Sequence, residues 1–91
     1  MEAKLFRVTG RVQGVGFRFF VERVAQEAGL SGWVRNRSDR SVEVYAEGAA
    51  KKMDALRAAL SAGPPGSRVE RVEEQPAAPR HCRGFSIETT D

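Results

Sequence analysis

The stretch with the clearest chemical potential is the loop Val12-Gln13-Gly14-Val15-Gly16-Phe17-Arg18, which stands between a predicted strand and the start of a predicted helix. Glycine tolerates positive φ, so glycines at alternate positions let successive backbone N–H groups turn inward and form an anion-binding concavity. The helix N-terminus adds unpaired donors and a partial positive charge, and Arg18 could close the cradle with a bidentate contact to two phosphate oxygens. The loop therefore predicts a phosphate site.

A structural alternative is open for the same residues. Gly14 and Gly16 would then only permit a tight crossover, and Arg18 would be a solvated residue of the first helical turn. A cation in that turn opposes the helix dipole unless an anion is bound. Physical reasoning thus favours the binding interpretation.

A second candidate is Asn36, at the end of the predicted strand Gly32–Asn36. Alternation along this strand places Val34 and Asn36 on one face, and Trp33 and Arg35 on the other. A carboxamide can accept a proton of water with its oxygen while its NH2 group contacts substrate, which orients a nucleophile without removing its proton. The alternative is an asparagine that only begins the hairpin turn, which is the commoner use of this residue type.

The elements that must position these residues follow from apolar periodicity and from turn residues. The predicted elements are a strand over residues 4–12, a helix over 17–28 that ends at Gly29, strands over 32–36 and 41–48, a helix over 49–60, a strand over 68–74, and a short strand around Phe85 and Ile87. This β-α-β-β-α-β order predicts an α+β, ferredoxin-like sandwich. Two helices would cover one face of an antiparallel sheet, with a short extra C-terminal strand.

Length and composition limit the number of domains and the kind of ligand. A chain of 91 residues with 41% hydrophobic content is long enough for one globular domain over residues 1–91 and too short for two. Fifteen basic residues against twelve acidic residues leave a net charge of +3. This mild excess suits a small anionic ligand, but it also occurs on many solvated surfaces.

The residue types present disfavour a metal site and covalent catalysis, and the chain lacks the apolar runs of secreted and membrane proteins. Cys82 is the only cysteine and His81 the only histidine, and neither has a partner at metal-ligand spacing, so we expect no metal and no other cofactor. The cradle loop carries no serine or cysteine nucleophile, which argues against a covalent phosphoenzyme. Neither a signal-like segment nor a membrane-spanning run is present, and a cytoplasmic, soluble, unprocessed protein is expected.

The segments GRVQGVGFR and GWVRN, with the order and spacing of residues from about Lys4 to Thr89, closely resemble the acylphosphatase family. The resemblance implies the ferredoxin-like fold and hydrolysis of the carboxyl–phosphate bond of acyl phosphates to carboxylate and inorganic phosphate. It also implies that the backbone amides of residues 13–18 bind the phosphate group, namely those of Gln13, Gly14, Val15, Gly16, Phe17 and Arg18. Arg18 would be the phosphate-binding catalytic arginine, and Asn36 the asparagine that positions water.

The chain departs from the family pattern where the hairpin reads Asp39-Arg40, since many members have Asp-Gly there. Arg40 would be costly at positive φ, so we expect the turn to be reshaped or Asp39 to take the special conformation. The physiological acyl phosphate is not indicated by these motifs, and nothing suggests more than a monomer.

Two other functions are open. The same cradle could hold carbamoyl phosphate or another anion in a non-catalytic regulatory module, with Asn36 as the discriminating residue. An RNA-binding domain of this fold would need exposed aromatic residues on the central strands, whose outer faces carry mainly Leu5, Arg7, Thr9, Glu43, Tyr45 and Glu47. We therefore predict a free-standing enzyme whose partners are an acyl phosphate and inorganic phosphate, the product and a competitive ligand, without nucleic acid or membrane.

Overall fold

The computed structural model describes residues 1–91 and contains two helices and five strands. In chain order these are β1 (Glu2–Arg11), α1 (Phe17–Glu27), β2 (Ser31–Asn36), β3 (Val42–Gly48), α2 (Ala50–Ala62), β4 (Arg68–Pro76) and β5 (Phe85–Ile87). The β-α-β-β-α-β order and the extra C-terminal strand are therefore as the sequence predicts.

The strands form one sheet in the order β4-β1-β3-β2-β5. The β1–β3, β1–β4 and β2–β3 pairs are antiparallel, but β5 pairs with β2 in parallel. The four strands of the β-α-β-β-α-β order thus form the predicted antiparallel sheet, and the extra strand adds a parallel pair at its edge. After β4 the chain crosses from one edge of the sheet to the other, and it reaches β2 from the end at which β2 begins.

The core lies between the sheet and the two helices and contains 15 buried apolar residues. Alternation in β1 buries Phe6 and Val8, and the helical spacing in α2 buries Met53, Leu56 and Leu60 completely. Burial of each such side chain contributes roughly 1.5 to 3 kcal/mol, so the apolar periodicity of the chain fixes which face of each element points inward. This packing holds the ends of β1 and β2 in place.

The outer face of the sheet is not entirely open to solvent. Tyr45 and Glu47 point to that face, yet they are only 1% and 2% exposed. The segment between β4 and β5 covers them: the Tyr45 hydroxyl oxygen accepts from the amide of Arg80, and the Glu47 carboxylate accepts from the amides of His81 and Cys82. The two side chains lie on the predicted outer face, but the covering segment removes them from solvent.

Candidate active site

The loop after β1 and the end of β2 meet in one small pocket of about 120 Å³. β1 and β2 run in the same direction on either side of β3. Their C-terminal ends therefore lie side by side at the same end of the sheet. The residues that line the pocket are Val12, Gly14, Gly16, Phe17, Arg18, Phe19 and Asn36. The fold thus brings both predicted catalytic residues, Arg18 and Asn36, to the glycine-containing loop.

The backbone of this loop has the conformation that an anion-binding cradle needs. Gly14 and Gly16 have φ angles of 74° and 76°, in the left-handed region that a residue with a Cβ seldom adopts. Val15 between them packs against the core, which anchors the loop. The alternation of left-handed glycines with an ordinary residue turns neighbouring amides toward one side.

The amides of residues 13–18 have no acceptor within the protein. None of them donates to a backbone carbonyl or to a side chain, and Gly16, which caps α1, supplies no side chain that could satisfy the first turn. Six successive free donors at a helix N-terminus are suited to an anion, because the helix dipole adds partial positive charge there. An acceptor with several oxygens fits this set of donors.

Arg18 lies in the second position of α1 and is half-buried beside the cradle. Its guanidinium takes part in none of the ion pairs and none of the side-chain hydrogen bonds of the protein. The planar group is therefore free to form two parallel hydrogen bonds with a bound oxyanion.

Asn36 is 9% exposed, and its side-chain oxygen is fully buried without a donor from the protein. A buried polar atom left in this state costs about 1 to 3 kcal/mol, and such atoms are uncommon in folded proteins. An asparagine that only started the hairpin turn would use this oxygen to accept a local amide hydrogen. The geometry therefore favours a role toward a ligand over the turn-forming alternative.

The side chain of Gln13 is a part of the site that sequence reasoning missed. Its Nε2 donates to the carbonyl oxygens of Arg37 and Ser41, both at 2.9 Å, and so ties the cradle to the hairpin turn that follows Asn36. No sequence signal indicates these bonds, since the partners lie 24 and 28 residues away. Phe19, 69% exposed at the pocket, was also missed because it falls outside the apolar face of α1.

The hairpin turn differs from its prediction. Arg40 itself adopts positive φ, at 75°, so the expectation that Asp39 would take this conformation is wrong. Asp39 instead stabilises the turn by accepting from the hydroxyl and the amide of Ser41 at 2.6 and 2.9 Å. These bonds, with a contribution from Arg7, lower the pKa of Asp39 to about 2. The carboxylate compensates locally for the strain at the following residue.

The side chains of His, Cys, Asp and Glu form no group of three or more that could hold a metal ion. Neither helix has the length and apolar character needed to cross a membrane.

Comparison with known proteins decides the family. The sequence model described as Acylphosphatase matches residues 4–87. The chain belongs to the acylphosphatase family. It is 52% identical over 90 residues to an acylphosphatase of Koribacter versatilis (strain Ellin345). The aligned residues make up 98% of this chain and 82% of that protein.

Two further relatives agree with this membership along almost the full length. An acylphosphatase of Mannheimia succiniciproducens is 51% identical over 89 residues, covering 97% of this chain and 99% of that protein. The crystal structure of the acylphosphatase from Bacillus subtilis has a TM-score of 0.94 at 38% identity, covering 97% of this chain and 99% of that one. The expected α+β, ferredoxin-like fold and the expected enzyme class, acylphosphatase, are confirmed.

Proposed function

We propose that this acylphosphatase hydrolyses its substrate by direct attack of one positioned water on the phosphorus, without a metal ion or a covalent intermediate. The amides of residues 13–18 and the guanidinium of Arg18 bind the phosphate oxygens. The carboxamide of Asn36 orients the water. The bond from the water oxygen to phosphorus forms while the bond from phosphorus to the acyl oxygen breaks, which gives a carboxylate and inorganic phosphate.

Few groups suffice because the chemistry is undemanding. The leaving carboxylate has a low pKa and needs no general acid. The proton released by the attacking water passes to a phosphate oxygen, so no side chain has to act as a base. What the protein supplies is alignment, together with stabilisation of charge on the equatorial oxygens by fixed amide dipoles and one full positive charge.

The observation that carries this proposal is that Asn36, whose side-chain oxygen has no donor in the protein, lines the same pocket as the free cradle amides. A module that only bound phosphate would need the amides and Arg18, but it would gain nothing from an acceptor that costs stability. A carboxamide oxygen next to a phosphate site is suited to a water proton, since it would repel the phosphate oxygens. This favours a hydrolase over a regulatory binding module.

We further propose that the protein is a cytoplasmic monomer of one domain that takes inorganic phosphate as a competitive ligand and does not bind nucleic acid. Stacking of bases would require open aromatic faces on the sheet. Tyr45 is buried and stacked with Trp33 at a centroid distance of 5.9 Å, and the guanidinium of Arg35 lies over the Trp33 ring. The outer sheet surface therefore offers little that an RNA base could stack on.

The decisive experiment measures hydrolysis of benzoyl phosphate in excess chelator by the wild type, Arg18→Gln and Asn36→Ala, with the inhibition constant of inorganic phosphate for each. Loss of one electrostatic or positioning group typically lowers kcat by about 10² to 10³. We expect Arg18→Gln to lose both turnover and phosphate affinity, whereas Asn36→Ala loses turnover and keeps phosphate affinity. Arg23→Gln is the matched control, because Arg23 is exposed on the same helix and lies outside the pocket.

The outcomes separate the two functions. Turnover that resists the chelator and disappears in both site variants supports the proposed mechanism. Phosphate binding without turnover in the wild type would establish the binding module instead. Normal activity of Asn36→Ala would remove the water-positioning role, and chelator-sensitive turnover would refute metal independence.

A further inference from the structure

We propose that Arg11 and Arg40 form a second anionic subsite beside the phosphate cradle, which binds a carboxylate or phosphate group carried by the acyl part of the substrate. The preferred substrates would then be acyl phosphates whose acyl group bears a second negative charge. This inference rests on the proposed function, because it assumes that the transferred phosphate lies in the cradle.

A second pocket adjoins the first at the cradle loop. It has a volume of about 590 Å³ and is lined by Gly10, Arg11, Val12, Gln13, Gly14 and Arg40. Val12 and Gly14 line both pockets, whereas Arg18 and Asn36 line only the first. The larger pocket thus shares part of the cradle loop but none of the reacting groups, which suits the part of a substrate that does not react.

The charges in this pocket are uncompensated. Arg11 and Arg40 take part in none of the ion pairs of the protein, in contrast to the nearby Arg7, which pairs with Asp39, and Arg37, which pairs with Glu43. Asp39, the carboxylate next to Arg40 in sequence, is therefore already paired with Arg7. The two free guanidinium groups leave the pocket basic.

Cross-strand pairing adds to this positive charge. Arg11 is directly opposite Arg68 in the β1–β4 ladder, and side chains opposite one another in antiparallel strands lie on the same face. Like charges in such a pair are destabilising, and an anion bound at Arg11 reduces the repulsion. The end of β1 is therefore a place where a bound anion lowers the free energy of the folded chain.

Arg40 also occupies a strained backbone position. A side chain at φ 75° costs free energy that glycine would not, and strained residues cluster at functional sites when the strain serves a purpose. The turn would be more stable with glycine, but glycine would remove the guanidinium from the pocket wall. A gain in substrate binding adds to the local stabilisation of the turn by Asp39.

The test compares 4-carboxybenzoyl phosphate with benzoyl phosphate, which share a rigid ring and cannot cyclise. A 4-phosphonobenzoyl phosphate extends the comparison from a carboxylate to a phosphate-type anion. The measured quantity is the ratio of kcat/KM for the charged and the uncharged substrate, so that differences in uncatalysed reactivity cancel between enzyme variants. The variants are Arg11→Gln, Arg40→Gly, the double variant of these two, and Arg40→Lys. The control for loss of one charge is Arg83→Gln, because Arg83 is exposed and lines neither pocket.

We expect each single substitution to lower the ratio about threefold and the double substitution to lower it about tenfold, as is ordinary for exposed charge pairs at low salt. Arg40→Lys should keep most of the ratio, and 0.5 M salt should lower the wild-type ratio toward that of the double variant. Arg40→Gly should also unfold at a temperature a few degrees higher than the wild type, because the backbone strain is relieved. A larger effect with the phosphonate than with the carboxylate would identify a phosphate group as the preferred anion.

An unchanged ratio in the double variant would overturn the subsite, and so would a fall of equal size in Arg83→Gln, because the effect would then belong to overall charge. A higher unfolding temperature for Arg40→Gly with no change in the ratio would show that Arg40 is merely tolerated in the turn. If the proposed function is wrong, the wild type will not hydrolyse benzoyl phosphate. That result is distinct from failure of the subsite, which leaves this hydrolysis intact and changes only the ratio.

Discussion

Replacing Glu47 with glutamine is expected to destabilise the protein strongly at neutral pH and hardly at all at pH 2. Glu47 lies near the end of β3, where its carboxylate is 2% exposed. The carboxylate accepts hydrogen bonds from the Tyr45 hydroxyl and the amides of Arg80, His81 and Cys82. These bonds hold the segment that leads from β4 to β5, and β5 flanks β2, which ends at Asn36.

The magnitude follows from the pKa. Burial raises the pKa of Glu47, but the four donors outweigh burial and lower it from 4.5 to about 2. That difference corresponds to about 3 kcal/mol in favour of the charged form in the folded state. Glutamine keeps one acceptor but presents an NH2 group to an amide donor, so we expect a loss of about 2 to 3 kcal/mol at pH 7.

The sign of the pH dependence is fixed by the direction of this change. Because the folded-state pKa lies below the ordinary value, the carboxylate contributes stability that is fully present above about pH 4.5 and is lost as the pH falls through about 2. Urea unfolding of both proteins between pH 7 and pH 2 measures the effect. The difference between the two free energies of unfolding isolates Glu47, since the other carboxylates titrate in both proteins.

A matched control is Glu70→Gln, because Glu70 is exposed on β4 and takes part in no ion pair. It should change the free energy of unfolding by less than about 0.5 kcal/mol. The reasoning about Glu47 would be refuted by a loss as small as that of the control at pH 7. It would equally be refuted by a difference that persists undiminished at pH 2.

Three other perturbations test the site and its support. Gln13→Ala should lower kcat for benzoyl phosphate about tenfold and the free energy of unfolding by about 1 to 2 kcal/mol, because the cradle loses both bonds to the hairpin turn; unchanged kinetics would make Gln13 a purely structural tie. Asn36→Ala should alter the free energy of unfolding by less than about 1 kcal/mol in urea titrations, since it removes a buried acceptor that no protein group satisfies; a loss of several kcal/mol would indicate a structural asparagine. Gly10→Ala should cost roughly 3 kcal/mol or more, because a Cβ there would lie 2.2 Å from the carbonyl oxygen of Arg68, and a near-native unfolding temperature would contradict that close approach.

Features with a short range along the chain could be predicted from the sequence. The alternation in β1, the helical spacing in α2, and the position of the glycine-containing loop between a strand and a helix are confirmed. Each depends on residues within a few positions of one another. The family resemblance, carried by GRVQGVGFR and GWVRN, is confirmed for the same reason, since these motifs are local and specific.

Features with a long range along the chain were decided only by the tertiary structure. The chain crosses to the far edge of the sheet, and this crossing makes β5 parallel to β2. It also buries Glu47, which strand alternation places on the outer face, under amides 33 to 35 residues away. The side-chain bonds of Gln13 likewise depend on two carbonyl groups that a distant turn supplies. The sequence by itself determined which residue types could bind phosphate and orient water. Only the folded sheet decided that they share one pocket, because hydrogen-bond partners and burial depend on which distant segments pack together.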